Sequence, residues 1–149
     1  MNPVHQTMPH LTRHNGVWEG TYRVVDINAN TLDLHHSRIE VRFPDEGPHH
    51  YTQNNHFWWD DGRETRGDYP GVCRDGVLYW DNELIQGKAW SVDPLSTVLT
   101  WRRHDTPGAY LYEIIVINEA NDQRSRTWQW FRDGVLYQRT LIEERRVAD

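Results

Sequence analysis

The stretch NNHFWWDDGRETRG, Asn54 to Gly67, decides the fold. Aromatic residues run into Asp61-Gly62, and a polar run leaves on the other side. Asp-Gly favours a tight hairpin because the central residues of a type I′ turn need positive φ. The stretch therefore reads as strand, turn, strand. Asp75-Gly76 and Asp133-Gly134 repeat the signal, each inside the hexapeptide RDGVLY at Arg74–Tyr79 and Arg132–Tyr137. The flanks of the two copies do not match, so they are recurrent hairpin chemistry rather than a duplication. Further turn signals stand at INAN (27–30), PDEGP (44–48), DPLS (93–96), DTPG (105–108) and NEAND (118–122). Between them lie β-prone runs near 16–27, 32–43, 49–60, 63–68, 71–74, 77–82, 84–92, 97–104, 109–118, 123–132 and 135–147. No sustained helical period follows residue 15.

Short turns between consecutive strands make an up-and-down meander. Such a sheet hides its edges best by closing. The expected fold is all-β: an antiparallel up-and-down barrel of about 8–10 strands with an internal cavity. A two-sheet sandwich is the competing architecture. Residues 1–13 read as a polar N-terminal arm with at most a short helical turn, and 14–149 as the barrel domain.

The chain has 149 residues, enough for one domain with a real core. Hydrophobic residues make up only 37%, yet there are 8 Trp and 7 Tyr. Aromatics with polar ends suit the wall of a ligand cavity. The formal charge is −6 with both signs interspersed, which argues against a nucleic-acid surface. No apolar stretch is long enough to span a membrane, and the N-terminus shows no secretory signal. One cysteine, Cys73, fits a reducing compartment, so a cytoplasmic location is expected. A homodimer is left open.

NGVWEGTY carries Gly16-x-Trp18 at the head of the first long strand. This resembles the G-x-W signature of lipocalins and their calycin relatives, antiparallel barrels that bind small apolar molecules. The resemblance implies that a late arginine packs across Trp18, and EERRV offers Arg145 or Arg146. The W-x-G-x-Y continuation is similar to fatty-acid-binding-type and nitrobindin-type barrels. No histidine follows His104, so the late haem-ligating histidine of nitrobindin-type barrels has no counterpart and haem is disfavoured. No other cofactor is implied.

Side chains alternate along a strand, so parity places the site. Ile39, Val41 and Phe43 share a face with His35 and Ser37. Symmetric hairpins would then turn Tyr51, Gln53, Asn55, Phe57 and Trp59 inward, followed by Glu64 and Arg66. Tyr22 joins through its parity with Trp18. Tyr112 and Trp128 are added from the later strands, whose inward face parity alone does not decide. The candidate catalytic residues are His35, Glu64 and Arg66. The candidate ligand contacts are Tyr22, Gln53, Asn55, Phe57, Trp59, Tyr112 and Trp128. Nine histidines raise a metal site, but His36 and His56 point outward and make only half a zinc set, so no metal is expected. No nucleophile elbow, P-loop or dinucleotide-binding turn is present.

Three functions compete. The first is a cofactor-free lyase, isomerase or cyclase using acid–base chemistry on a small aromatic or apolar molecule. Lipocalin-like barrels such as phenolic acid decarboxylases set a precedent by resemblance. The second is a non-catalytic carrier or sensor of a hydrophobic ligand. The third is an interaction protein with tryptophans on an exposed patch. The inward polar groups favour the first.

Overall fold

The computed structural model describes residues 1–149. Eleven strands form one antiparallel sheet: β1 (Gly16–Asp26), β2 (Thr31–Arg42), β3 (Thr52–Trp58), β4 (Glu64–Asp68), β5 (Val72–Arg74), β6 (Val77–Asp81), β7 (Ile85–Ser91), β8 (Ser96–Arg103), β9 (Ala109–Ile117), β10 (Gln123–Arg132) and β11 (Val135–Val147). Their order is β4-β3-β2-β1-β11-β10-β9-β8-β7-β6-β5. Every strand pairs with its sequence neighbours except β4 and β5, which end the sheet, and β1 joins β11. The meander read from the turns is therefore the topology, with one strand more than the upper count expected. The sheet curls into a half-barrel whose two free edges, β4 and β5, are consecutive in the chain. Residues 69–71 span that seam. There Tyr51 and Gly71 exchange backbone hydrogen bonds (N–H of Tyr51 to Gly71 O, 3.2 Å; N–H of Gly71 to Tyr51 O, 2.9 Å).

Turn chemistry explains the registers. At Asp75-Gly76 and Asp133-Gly134 both residues have positive φ, as a type I′ turn requires. At Asp61-Gly62 only the glycine does, at φ 93°. Trp59 N–H instead bonds Arg63 O at 3.0 Å, so Asp60, Asp61 and Gly62 form a three-residue loop closed by a left-handed glycine. One extra loop residue reverses the parity of β4. Trp58 pairs with Glu64, Phe57 with Thr65 and His56 with Arg66.

The first thirteen residues do not stand off as a polar arm. A short helix, α1 (Val4–Thr7), and a 3-10 turn (Pro9–His14) fold under one end of the barrel. Val4, Met8 and Leu11 are buried against Trp18, Ile39, Val41, Tyr51, Leu78 and Ile117. Each fully buried apolar side chain contributes roughly 1.5–3 kcal/mol, which outweighs the polar residues around it. Asn2 ties the plug down, donating to Pro44 O (2.8 Å) and His50 O (2.6 Å). No helix is long and apolar enough to cross a membrane.

Trp18 is fully buried beside this plug. Its indole N–H donates to His14 O at 2.9 Å. Of the two arginines offered by the C-terminal strand, Arg146 covers the ring, with its guanidinium carbon 4.4 Å from the centroid. Arg124 covers the ring as well, at 4.6 Å.

Candidate functional site

The unplugged end of the barrel holds a cavity of ≈ 260 Å³. Its wall is an arc of rings. Tyr22 stacks on His35 (5.1 Å between centroids), and Phe57 meets both edge-on at 4.9 and 5.0 Å. Trp59 lies 4.5 Å from His35, and Trp128 lies 5.7 Å from Tyr22. Trp101 and Trp130 continue the arc beyond Trp128, at 5.9 Å from it each. Offset and edge-on pairs at these spacings are the favoured aromatic geometries. Outside this arc, Trp58 is half-buried on the outer face, where it packs on His36 and His56 at 5.7 and 5.1 Å.

Most of the predicted site comes together in the cavity, Trp128 included although parity alone did not place it. Tyr22, His35, Gln53, Asn55, Phe57, Trp59 and Trp128 all line the cavity. The β2–β3 register sits two residues from the symmetric hairpin, pairing Ser37 with Phe57 and Ile39 with Asn55. An even offset leaves the faces unchanged.

Glu64 and Arg66 are corrected. The extra residue in the Asp60–Gly62 loop turns both outward. Glu64 lies 3.2 Å from His56 on the outer face, with its side chain 62% exposed. Arg66 is exposed opposite His56. Neither reaches the cavity, so the predicted carboxylate–guanidinium pair is not in the site. Tyr112 also faces out. It packs on Tyr110 and Phe131, at 5.9 and 5.7 Å, because the inward residue of β9 at that level is Glu113.

His35 stays in the site, and the ionisable groups that accompany it come from residues other than Glu64 and Arg66. Asp33 shares the parity of His35. Its carboxylate sits 2.7 Å from His35 Nδ1 and accepts the Trp59 indole N–H at 2.8 Å. Desolvation pushes the Asp33 carboxyl up, but these two hydrogen bonds and the nearby positive charge outweigh it and hold it below its ordinary value. His35 lines the cavity, and its hydrogen bond within the protein is made through Nδ1. Beside it the Tyr51 hydroxyl donates to Gln53 (2.5 Å), and the Gln53 amide donates to Asn55 (2.9 Å).

The cavity floor is a buried ion chain. Arg126 donates to Glu113 (2.7 Å) and to the Tyr22 hydroxyl (2.8 Å), and lies 3.6 Å from Glu144. Arg124 holds Glu144 with two bonds, at 2.8 and 3.3 Å, and reaches His14 Nδ1 at 3.2 Å. Two arginines match two glutamates, so the chain is neutral. Burial pushes the Glu144 carboxyl up, and the charges of Arg124 and Arg126 overcome it and keep it ionised. Burial likewise opposes the charge on Arg126, but Glu113, Tyr22 and Glu144 hold its pKa well above the ordinary value. Burial raises the Tyr22 hydroxyl, so it keeps its proton. Burial, followed by the charge of Arg124, pushes His14 well below its ordinary value. A neutral His14 can accept from the Arg124 guanidinium, whereas a charged one would oppose it.

A pH dependence follows. The unfolded chain protonates a histidine below about pH 6.5, while folded His14 stays neutral. Stability is thus full above that pH and declines as pH falls. Glu144, held below its ordinary 4.5, adds a second loss at lower pH. The urea midpoint should be flat from about pH 8 to 7 and fall below about 6.5. In His14→Gln the first decline should vanish. A wild-type midpoint unchanged down to about pH 5 would show that His14 takes up its proton as readily folded as unfolded.

Arg126 and Glu113 were partly legible. Arg126 shares parity with Trp128, and Glu113 shares a face with Trp101. The missing information was which face is inside, because β9 is apolar on both: Leu111 and Ile117 inward, Tyr112, Ile114 and Val116 outward.

No family model and no curated protein matches the chain. Among solved structures it resembles a protein of unknown function of the DUF3598 family from Nostoc punctiforme PCC 73102, with a TM-score of 0.72 and 16% identity over 92% of this chain. That match covers 49% of the Nostoc protein, so the chain spans about half its length. It also resembles Rv2717c from M. tuberculosis, with a TM-score of 0.65 and 16% identity over 95% of this chain and 98% of that one. At such identity the likeness is one of fold.

Proposed function

We propose that this barrel is a cofactor-independent acid–base enzyme of the lyase, isomerase or cyclase type, acting on a small aromatic or apolar molecule held in its cavity. One observation carries it: His35 is fixed through Nδ1 by Asp33 at 2.7 Å, while Nε2 is left for a ligand. A carboxylate on one imidazole nitrogen sets the tautomer that leaves the other as an acceptor. His35 is then the general base and Asp33 a positioning residue. The aromatic arc supplies binding, and Tyr22 with Arg126 supplies hydrogen-bond donors for developing negative charge. Trp18 under Arg146 supports a place among the lipocalin-like calycins. The unpaired Cys73 supports a cytoplasmic location.

The test begins with small aromatic molecules screened by tryptophan quenching, since the indoles of Trp59, Trp101, Trp128 and Trp130 line the cavity. Binders are then assayed for turnover. His35→Gln is expected to lower kcat by about 10²–10⁴ with binding little changed. Asp33→Asn is expected to lower kcat while KM stays the same. Turnover that survives His35→Gln would reject the assignment. Tight binding with no turnover by any form would leave the barrel a carrier.

A further inference from the structure

We infer that Trp59 is the positioning residue that sets the base: its indole N–H fixes the Asp33 carboxylate, and through that carboxylate the tautomer and ring plane of His35. This deepens the assignment of His35 as base with Asp33 behind it, and rests on it.

Register brings the three together. His36 pairs with Trp58, so the next residues along, His35 and Trp59, stand opposite each other on the inner face. Both line the cavity. Asp33 precedes His35 by two residues on β2 and so shares its face. That makes it the diagonal neighbour of Trp59, a gap of about 7–8 Å within reach of a long aromatic side chain. The indole closes the gap with its N–H.

Each oxygen of Asp33 then has one partner. Oδ2 lies 2.7 Å from His35 Nδ1, and Oδ1 accepts the Trp59 indole N–H at 2.8 Å. A carboxylate held by one oxygen can swing about its terminal torsion, which is broad and roughly two-fold. One held by both oxygens is fixed. This matters because the Asp33 side chain is 35% exposed, so water competes for its oxygens. A hydrogen bond to a charged group favours the held state by roughly tenfold to a hundredfold.

The relay has one direction. An indole only donates, and an ionised carboxylate only accepts. The two hydrogen bonds hold the Asp33 carboxyl below its ordinary value, in its ionised form. The proton between Asp33 and His35 therefore sits on Nδ1.

Ring contacts fix the plane. Tyr22 from β1 and Trp59 from the end of β3 flank the imidazole on β2, at 5.1 and 4.5 Å, and Phe57 meets it edge-on at 5.0 Å. Exchanging the two ring nitrogens would lose the bond to Asp33 and push against these rings. The Arg63 guanidinium packs on the Trp59 ring at 4.9 Å and lies outside the relay.

The test reads the tautomer in the protein alone. Two-bond proton–nitrogen NMR spectra of ¹⁵N-labelled protein distinguish a protonated ring nitrogen from a bare one. They are taken at about pH 8, where an ordinary histidine is neutral. The His35 signals are those missing from His35→Gln. Wild type is expected to show His35 protonated at Nδ1 and bare at Nε2. Trp59→Phe keeps a ring beside the imidazole and loses the N–H. It is expected to lower the ratio of Nδ1–H to Nε2–H by about tenfold or more, turning one form into a mixture. Asp33→Ala removes the group through which Trp59 acts. It should also give a mixture, and adding Trp59→Phe to it should change nothing further. Arg63→Ala alters packing on the ring but not the relay, and should keep the wild-type tautomer. Trp59 and Asp33 are half-buried, so none of these substitutions empties the core.

A tautomer unchanged in Trp59→Phe overturns the inference and leaves His35 and Asp33 as assigned. A mixture in Arg63→Ala also overturns it, since packing rather than the N–H would then set the base. Nε2–H in wild type removes the inference and the base together. A fixed tautomer that Trp59→Phe releases, in a barrel that turns over none of the aromatic molecules screened, keeps the positioning role and removes the enzyme.

Discussion

Trp18→Ala is expected to destabilise the protein by about 3–5 kcal/mol, the usual range for removing a fully buried tryptophan. The ring is 0% exposed and lies where β1, the N-terminal plug and the ends of β10 and β11 converge. Its loss does more than leave a void. Arg146 and Arg124 each lose the face they pack on, at 4.4 and 4.6 Å. A desolvated cation–π contact is worth up to about 2 kcal/mol. Arg146 also donates to Asn121 O and Arg13 O, both at 2.6 Å, so the ring props a clamp that holds the plug to the last strand. Trp18→Phe keeps an apolar ring but drops the bond to His14 O, and should cost less. A shift in denaturation midpoint equivalent to under about 1 kcal/mol for Trp18→Ala would show that neither plug nor clamp depends on the ring.

Trp18 also shows how far sequence alone reaches. The G-x-W pattern and the late arginines anticipated this contact because the residues are few and chemically distinctive. The meander was legible for a similar reason: turn residues are set by local φ requirements. The site was legible only as far as parity could be carried. From Ile39 and Val41 it passed safely to His35, Asn55 and Phe57, since an even register offset keeps faces. It failed at Asp61-Gly62, where Asp61 keeps negative φ and a loop of three replaces a loop of two. Nothing in the dipeptide distinguishes the two loops, so Glu64 and Arg66 were carried to the wrong side. The plug was hidden for another reason. Val4, Met8 and Leu11 are sparse in a polar segment, and only the open barrel end gives them something to cover.

Arg126→Met is expected to cost about 3–5 kcal/mol, and Glu113→Leu a comparable amount, because each leaves its partner charged and buried. Glu113 has a side chain only 1% exposed, and Arg126 one 5% exposed, so water cannot replace the lost partner. Arg126→Met also takes the donor from the Tyr22 hydroxyl. The double variant Arg126→Met/Glu113→Leu removes one charge of each sign and restores neutrality, with Arg124 still holding Glu144 through two bonds. It should be more stable than either single variant, with a coupling of roughly 0.5–3 kcal/mol in a denaturant double-mutant cycle. Additive costs would mean that the two side chains do not share one desolvated pair. Replacing a buried ion pair by apolar residues is often neutral or stabilising. A double variant as stable as wild type would therefore place the value of the pair outside stability. The remaining place where it acts is the cavity, through the proton of Tyr22.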